Sequence, residues 1–543
     1  MQKMRFFRRC LPLFLAFWLL LAVAGAPFAA YAGESVTVRD SSGQVCYAAP
    51  MDPENACPAL QSALDTVRSG AYGTCTVTVT PGEYRMTKSA VLASDMTLNL
   101  TGVTLLNDNA GKGNIFISPN RDRTGKDYTG YSALENCTLR GGTLDYAPGN
   151  TNGSCLLRLA HCKNVTVDGT AFLNNKDSHH AELAAGYNVR FVNCLFSGQT
   201  NQTESSAEAL QIDILEKNRH FANFPAYDGT MNQKITVEDC TFQDLICGVG
   251  TRNAFAGRYQ KGVTIRGNTF RRLQGTAIVC TNYVDAVIEK NTITDCGRGV
   301  AYYMCKNSGV TDVFTDGSGK VLGKRNTDCG SRITDNTISV CQTAEMDKPR
   351  GMFLYGGKAT GKMPAGNYAV YNLTVSGNTI TTTGGGITGT DLQNCTLADN
   401  RITHTGAAAE TTVGILLHGS SGNLIEKNTC TALHNGLKCM DASHSNELRS
   451  NTVTNSRSSA VCIVDSNGVE VTENTIRTGA TNGIFVQRSK KARLLRNTIQ
   501  AMGHNGICLA EKSTAATGSN DAGQAKYRIL AVTACPTGIA HTF

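Results

Sequence analysis

Four asparagines in the C-terminal part of the chain, Asn428, Asn451, Asn474 and Asn497, follow one another at intervals of 23 residues. Each is followed by Thr and then Cys, Val or Ile, and each is preceded three positions earlier by Ile425, Leu448, Val471 or Leu494. A second apolar pair stands thirteen residues before three of them: Ile415/Leu417, Val461/Ile463 and Ile484/Val486. A short unit repeated in this way buries its apolar face only against its neighbours, which defines a solenoid. A period of 23 is too short for paired helices, and the Gly-, Asn- and β-branched-rich composition argues against leucine-rich turns. The repeat predicts an all-β, single-stranded right-handed parallel β-helix.

The register extends upstream. Asn400, Asn378, Asn336, Asn291 and Asn268 fill the same slot, with gaps of 22, 42, 45 and 23 residues, the larger ones being two periods or one period plus a loop. Further back the slot passes to Cys240, Cys194, Thr170 and Cys137, with Phe242, Phe196, Phe172 and Leu139 two residues later. A buried Asn stacked on its own kind satisfies its amide by bonding the next turn, and a small Cys fits the same corner.

The chain has 543 residues, more than one compact core accommodates but no difficulty for a solenoid. Residues 1–32 read as a secretory signal: Lys3, Arg5, Arg8 and Arg9, an apolar run from Leu11 to Ala24, and Ala30-Tyr31-Ala32 as a cleavage site. The mature chain is expected outside the cell or on its surface, without stable membrane insertion and as a monomer. Removing those four basic residues lowers the formal charge from +8 to +4, too mild a balance for nucleic acid. Cysteine is abundant at 21 residues, without the spacing of a zinc site. Most cysteines are expected in the core, with Cys46, Cys57 and Cys75, and Cys305, Cys329 and Cys341, as the better disulfide candidates.

Residues 33–110 read as an N-terminal cap with entry strands. Pro58 to Val67 has helical apolar spacing and should close the open end of the core, ahead of strands at Thr76–Thr80, Met96–Leu100 and Val103–Leu106. The order "ALQSALDTV … VTVTPGEYRM … DMTLNLTGVTLL" resembles the start of pectin-lyase-like right-handed parallel β-helix proteins, a superfamily that includes pectate lyases and polygalacturonases. The resemblance covers residues 34–510 at the level of fold. It implies a polysaccharide partner and a possible need for calcium; the motif sets of polygalacturonases and the Asp-rich site of pectate lyases are not found. The segments "HHAELAAGYNVRFVNC", "AEALQIDIL" and "CGVGT" resemble a subgroup of secreted bacterial β-helix proteins.

Within residues 111–510, the β-helix proper, the polar stretch from His179 to Tyr303 holds the candidate site. With Cys194 in the ladder slot, Ala181, Leu183, Leu210, Ile212, Val249 and Thr251 point inward. His180, Glu182, Gln211, Asp213, Arg252 and Tyr303 then share one external face of neighbouring turns. Glu182, Asp213 and Arg252 are the candidate catalytic residues, with His180, Gln211 and Tyr303 as substrate-binding residues. Two carboxylates about a rung apart suit glycoside hydrolysis; an Arg beside an Asp suits a uronate carboxylate or proton abstraction next to it. The plain alternative is a solvated face with a surface ion pair. Insertions at Glu216–Asn232, Val310–Ser331 and Met346–Ala369 are expected to wall a groove over this face.

Residues 511–526 read as a Ser/Thr/Gly/Ala-rich linker. Residues 527–543, "YRILAVTACPTGIAHTF", resemble the opening strand and loop of a fructose-type phosphotransferase IIB domain, which implies Cys535 as a phospho-acceptor. Three functions therefore stand open: an exported polysaccharide lyase or glycosidase, a non-catalytic glycan-binding adhesin, or a sugar-phosphotransferase fusion.

Overall fold

The computed structural model describes residues 33, 35–111, 113–150, 154–176, 178–199, 207–215, 221–251, 258–304, 328–356, 369–407, 409, 412–518 and 529–531. It is a parallel β-helix in which each full turn contributes three short strands to three ladders. One ladder, here face 1, runs through Glu208–Ile212, Cys247–Gly250, Thr276–Thr281, Arg298–Met304 and Arg350–Gly356 and on to Ile507–Ala510. Face 2 runs through Gln233–Glu238, Thr264–Arg266 and Val287–Glu289 to Ala515–Gly518. Face 3 is a 15-stranded parallel sheet from Gly82–Met86 to Thr498–Met502. Faces 1 and 2 join in one larger sheet because Leu157–Asp168 and Ala181–Val192 each bend through the corner between them. Left-handed backbone at His161, Asn164, Ala185 and Asn188 makes that bend.

The interior is built from stacked identical positions. Phe172, Phe196, Phe242 and Phe270 form a column on face 3 with ring centroids 4.7–4.8 Å apart, the spacing of hydrogen-bonded strands. At the corner between faces 2 and 3, the ladder asparagines bond one another and the turn before. The Asn428 backbone and side-chain amides both donate to Oδ1 of Asn451, at 2.9 and 3.0 Å, and its side chain also donates to the Leu397 carbonyl at 2.8 Å. The pattern runs from Asn268 to Asn497, and Cys240 joins it by donating its backbone N–H to Asn268 Oδ1. At its first turn the assigned slot is corrected. Cys137 lies within a face-2 strand, paired with Val165, and Gly142 takes the corner below Thr170. A Cβ at Gly142 would come 2.6 Å from Leu100 Cβ, so only glycine fits there.

The expected N-terminal helix, α1, spans Cys57–Arg68 and buries Cys57, Leu60, Ala63, Leu64 and Val67 over the open end of the core. Strand pairing reaches past the span 111–510 at both ends. Met96–Asn99 pairs with Leu134–Arg140, Ala515–Gly518 with Ala492–Leu495, and Ile529–Ala531 with Ile507–Ala510. Residues 515–518, within the stretch read as linker, and residues 529–531, within the stretch read as a truncated IIB-like fragment, are thus strands of the solenoid sheet. Every described cysteine is a free thiol, including Cys46, Cys57, Cys75, Cys329 and Cys341, so none of these forms the expected disulfides; Cys305 lies outside the described residues. Among the described residues no helix is long and apolar enough to cross a membrane.

Candidate functional site

Register fixes the site before any side chain is considered. Arg158, Glu182 and Gln211 are directly paired on successive turns of face 1, and Asp213 lies two residues beyond Gln211. A one-turn, two-residue diagonal separates Glu182 and Asp213 Cα atoms by roughly 8 Å. Ala181 and Leu183 enter the main core, so Glu182 points away from it, as its alternation with them requires.

That side of the sheet is nonetheless covered. Segment 221–227 folds back across face 1, and Phe221, Phe224 and Leu215 form a second apolar cluster with Ala160, Ala184 and Ala185. The exposed polar face expected from alternation is therefore corrected to a buried one. Glu182, Gln211 and Asp213 are 7%, 6% and 2% exposed, because a loop supplies an apolar roof that strand periodicity does not reveal. Under that roof, Arg158 Nε lies 2.6 Å from Glu182 Oε2 and its guanidinium stacks over Phe221 at 4.3 Å. Arg158 also donates to the Ala222 carbonyl at 3.3 Å, which fastens the roof to the sheet.

The electrostatics are those of three carboxyls around one cation. Burial raises the Asp213 carboxyl well above the usual range, and neighbouring Glu182 and Glu208 raise it further; the Ile214 backbone N–H, donating to Asp213 Oδ1 at 2.7 Å, and Arg158 oppose the rise. Its surroundings therefore favour the neutral acid over the carboxylate, beside the Arg158–Glu182 pair. Burial opposes the charge on Arg158, but Glu182, Cys155 and Asp213 together outweigh it and raise the guanidinium pKa. Burial, then Glu182, likewise push the Cys155 thiol far up, so it faces Glu182 as a neutral group.

A cleft of about 390 Å³ opens beside the pair, lined by Asn114, Asn120, Ser154, Ser178, Asn223 and Phe224 together with Arg158 and Glu182. A second hollow of about 760 Å³ continues from it past Asn120 and Asn223 to Arg121, Asp127 and Tyr227. Asp213 does not line either cleft; it lies behind Glu182.

His180 is corrected outright. It turns inward at the corner between faces 3 and 1, fully buried, its ring edge-on to Phe196 at 6.2 Å and Nε2 3.3 Å from the Ser197 carbonyl oxygen. Burial depresses its pKa to about 4, so it is neutral and structural, not a substrate ligand. Tyr303 is on face 1 but several turns away, among Arg298, Phe353 and Tyr355. Arg252, Cys535 and much of the expected groove walls (216–220, 310–327, 357–368) lie outside the described residues. Arg158 was missed by the sequence reading. Its signal was present: it stands 24 residues before Glu182, flanked by Leu157 and Leu159 as Glu182 is by Ala181 and Leu183.

Residues 366–520 match the family described as "Periplasmic copper-binding protein (NosD)". Among the described residues no group of three or more His, Cys, Asp or Glu is placed to hold a metal ion. No curated protein matches the chain. Among solved structures the chain is similar to PfbA, a surface adhesin of Streptococcus pneumoniae, at 17% identity and a TM-score of 0.45, covering 84% of this chain and 91% of that one. It is also similar to a mutant tailspike protein of E. coli bacteriophage HK620 in complex with pentasaccharide, at 15% identity and a TM-score of 0.47, covering 88% and 77%. Another similar structure is the Dettilon tailspike protein, at 13% identity and a TM-score of 0.38, covering 77% and 66%. Residue roles do not carry across at these identities.

Proposed function

We propose that the chain is an exported carbohydrate-handling β-helix protein that holds a polysaccharide in the cleft beside Arg158 and Glu182. The observation that carries this reading is the cleft's chemistry. Amides and hydroxyls from Asn114, Asn120, Ser154, Ser178 and Asn223 converge with a buried ion pair and one aromatic edge, Phe224. Such a lining matches a polyhydroxylated ring: many directional donors and acceptors, one apolar face, and little else. Binding of a panel of neutral and uronic-acid oligosaccharides to the purified protein tests it. Asn120→Ala and Asn223→Ala should each weaken binding about tenfold, as expected for a lost directional hydrogen bond. Unchanged affinity in both, with binding present, would move the sugar elsewhere.

One observation favours a second reading, in which the bound sugar is also cleaved. Burial raises the Asp213 carboxyl one turn and two residues from Glu182, so the two carboxyls stand in different surroundings, as an acid and its partner do in glycoside hydrolysis. In that reading Glu182 acts as base or nucleophile and Asp213 as the acid, reached through movement of the 221–227 roof. Reducing ends released from a bound polysaccharide by wild type but not by Asp213→Asn would support it. Binding without product leaves the adhesin-like function.

A further inference from the structure

Further along face 1 the external side changes character. Arg298 and Arg350 are paired in register on successive turns, so two guanidinium-bearing side chains rise from positions about 4.8 Å apart. Like charges placed opposite each other in a sheet repel. Among the described residues neither arginine is within salt-bridge distance of a carboxylate, in contrast to Arg158, Arg266, Arg272 and Arg488 of the same chain. What steadies them is aromatic. Arg298 and Arg350 sit at 5.1 and 5.0 Å from the centroid of one ring, Phe353, and Arg298 donates to the Tyr303 hydroxyl at 3.3 Å. Tyr355 stacks on Phe353 at 5.7 Å, and Tyr303 meets both rings edge-on at 5.9 and 6.2 Å. All five side chains are half-buried, with part of each surface left to solvent.

We infer that this platform is a second binding site, for an acidic sugar: the arginine pair takes a uronate-type carboxylate and the Tyr303–Phe353–Tyr355 surface takes the ring. Arginine forks suit a planar carboxylate in two-point contact, and aromatic faces suit the C–H side of a sugar ring. Two cations flanking one aromatic surface favour a ligand that is anionic at one edge and apolar on one face. A nucleic acid strand is the less suited occupant, since the chain's overall charge is low and nucleic acid calls for a long run of cationic contacts along its phosphates. The site is independent of the Arg158–Glu182 cleft. Glu182 is four strand steps from Tyr303 on face 1, roughly 19 Å along the solenoid.

The test is titration of the full-length protein with a hexameric oligogalacturonate, its methyl-esterified counterpart, and a single-stranded hexanucleotide. The expected result is binding of the acid form that weakens with salt, at least tenfold weaker binding of the ester, and a tenfold or greater loss in each of Arg298→Gln and Arg350→Gln. Phe353→Leu should weaken acid and ester alike. Unfolding temperatures within a few degrees of wild type establish that the variants fold; Arg350→Lys, which keeps charge but not the fork, serves if Arg350→Gln does not. Unchanged affinity in both arginine variants, equal binding of acid and ester, or tighter binding of the oligonucleotide would each overturn the proposal. Loss of binding in Asn120→Ala or Asn223→Ala with the arginine variants unaffected would place the acid in the first cleft instead.

Discussion

Replacing Arg158 by Met should loosen the roof of the cleft more than any other single change at the site. Arg158 and Glu182 are 17% and 8% exposed at their side chains, so truncating the cation leaves a buried carboxylate beside Asp213 and Glu208. Breaking a buried pair from one side costs about 3–5 kcal/mol. The lost stacking on Phe221 adds on the order of 1 kcal/mol. Arg158→Met with Glu182→Gln removes both charges and should recover much of the first cost, giving a coupling of about 2 kcal/mol or more. In a solenoid the damage is local, so the assay is amide hydrogen exchange of peptides spanning 221–227, read alongside thermal unfolding. The single variant should speed exchange in those peptides by roughly a thousandfold or more, at about 1.4 kcal/mol per decade, and the double variant by much less. Equal acceleration in both would show that the roof is held by its aromatic contacts alone and would refute the ion-pair argument.

Three further outcomes follow from the same geometry. His180 has a folded pKa of about 4 against an ordinary 6.5, so the unfolded chain takes up its proton first as pH falls. Its stabilising contribution, on the order of 3 kcal/mol, is present above pH 6.5 and lost between there and pH 4. Unfolding followed from pH 7 to 4 should show that loss in wild type and a shallower slope in His180→Gln. Asp213 has the opposite sign: its raised folded pKa means that native protein holds the proton, so stability falls as pH rises above about 4. Asp213→Asn should remove that slope and leave the chain at least as stable at pH 7. Asn428→Ala strands the buried Asn400 amide and the Leu397 carbonyl and should cost on the order of 3 kcal/mol, with exchange accelerating in the flanking turns. A loss below ~1 kcal/mol would mean that water replaces the ladder.

The solenoid was legible because its causes repeat. A slot that must hold an amide reaching the next turn admits little besides Asn, so Asn268 to Asn497 mark the turns in plain sequence. A parallel ladder at Ser420, Ser443, Ser466 and Ser489, each hydroxyl accepting the backbone N–H of the turn before, has the same 23-residue spacing and escaped notice. Serine is common in turns for many reasons, so its recurrence there stands out less than that of asparagine. Register also placed Glu182, Gln211 and Asp213 on one side of neighbouring strands. It did not show that side to be covered, since the roof comes from residues 221–227, whose contacts follow no period. His180 failed for a related reason. Strict alternation breaks at the corner, where Ala209, Gly248, Ala277 and Gly299 occupy the same position on later turns; only small residues, or a ring lying in the corner, fit there. Tyr303 was placed on the correct face, but distance along the solenoid separates it from Glu182.

The most direct measurement is the structure of the protein with an oligosaccharide bound, using whichever member of the panel binds tightest. The expected result is a sugar ring over Phe224 with its hydroxyls meeting Glu182, Arg158 and the amides of Asn120 and Asn223. A ligand seated anywhere other than that cleft or the Arg298–Arg350 platform, with the 390 Å³ cleft empty at saturation, would contradict it.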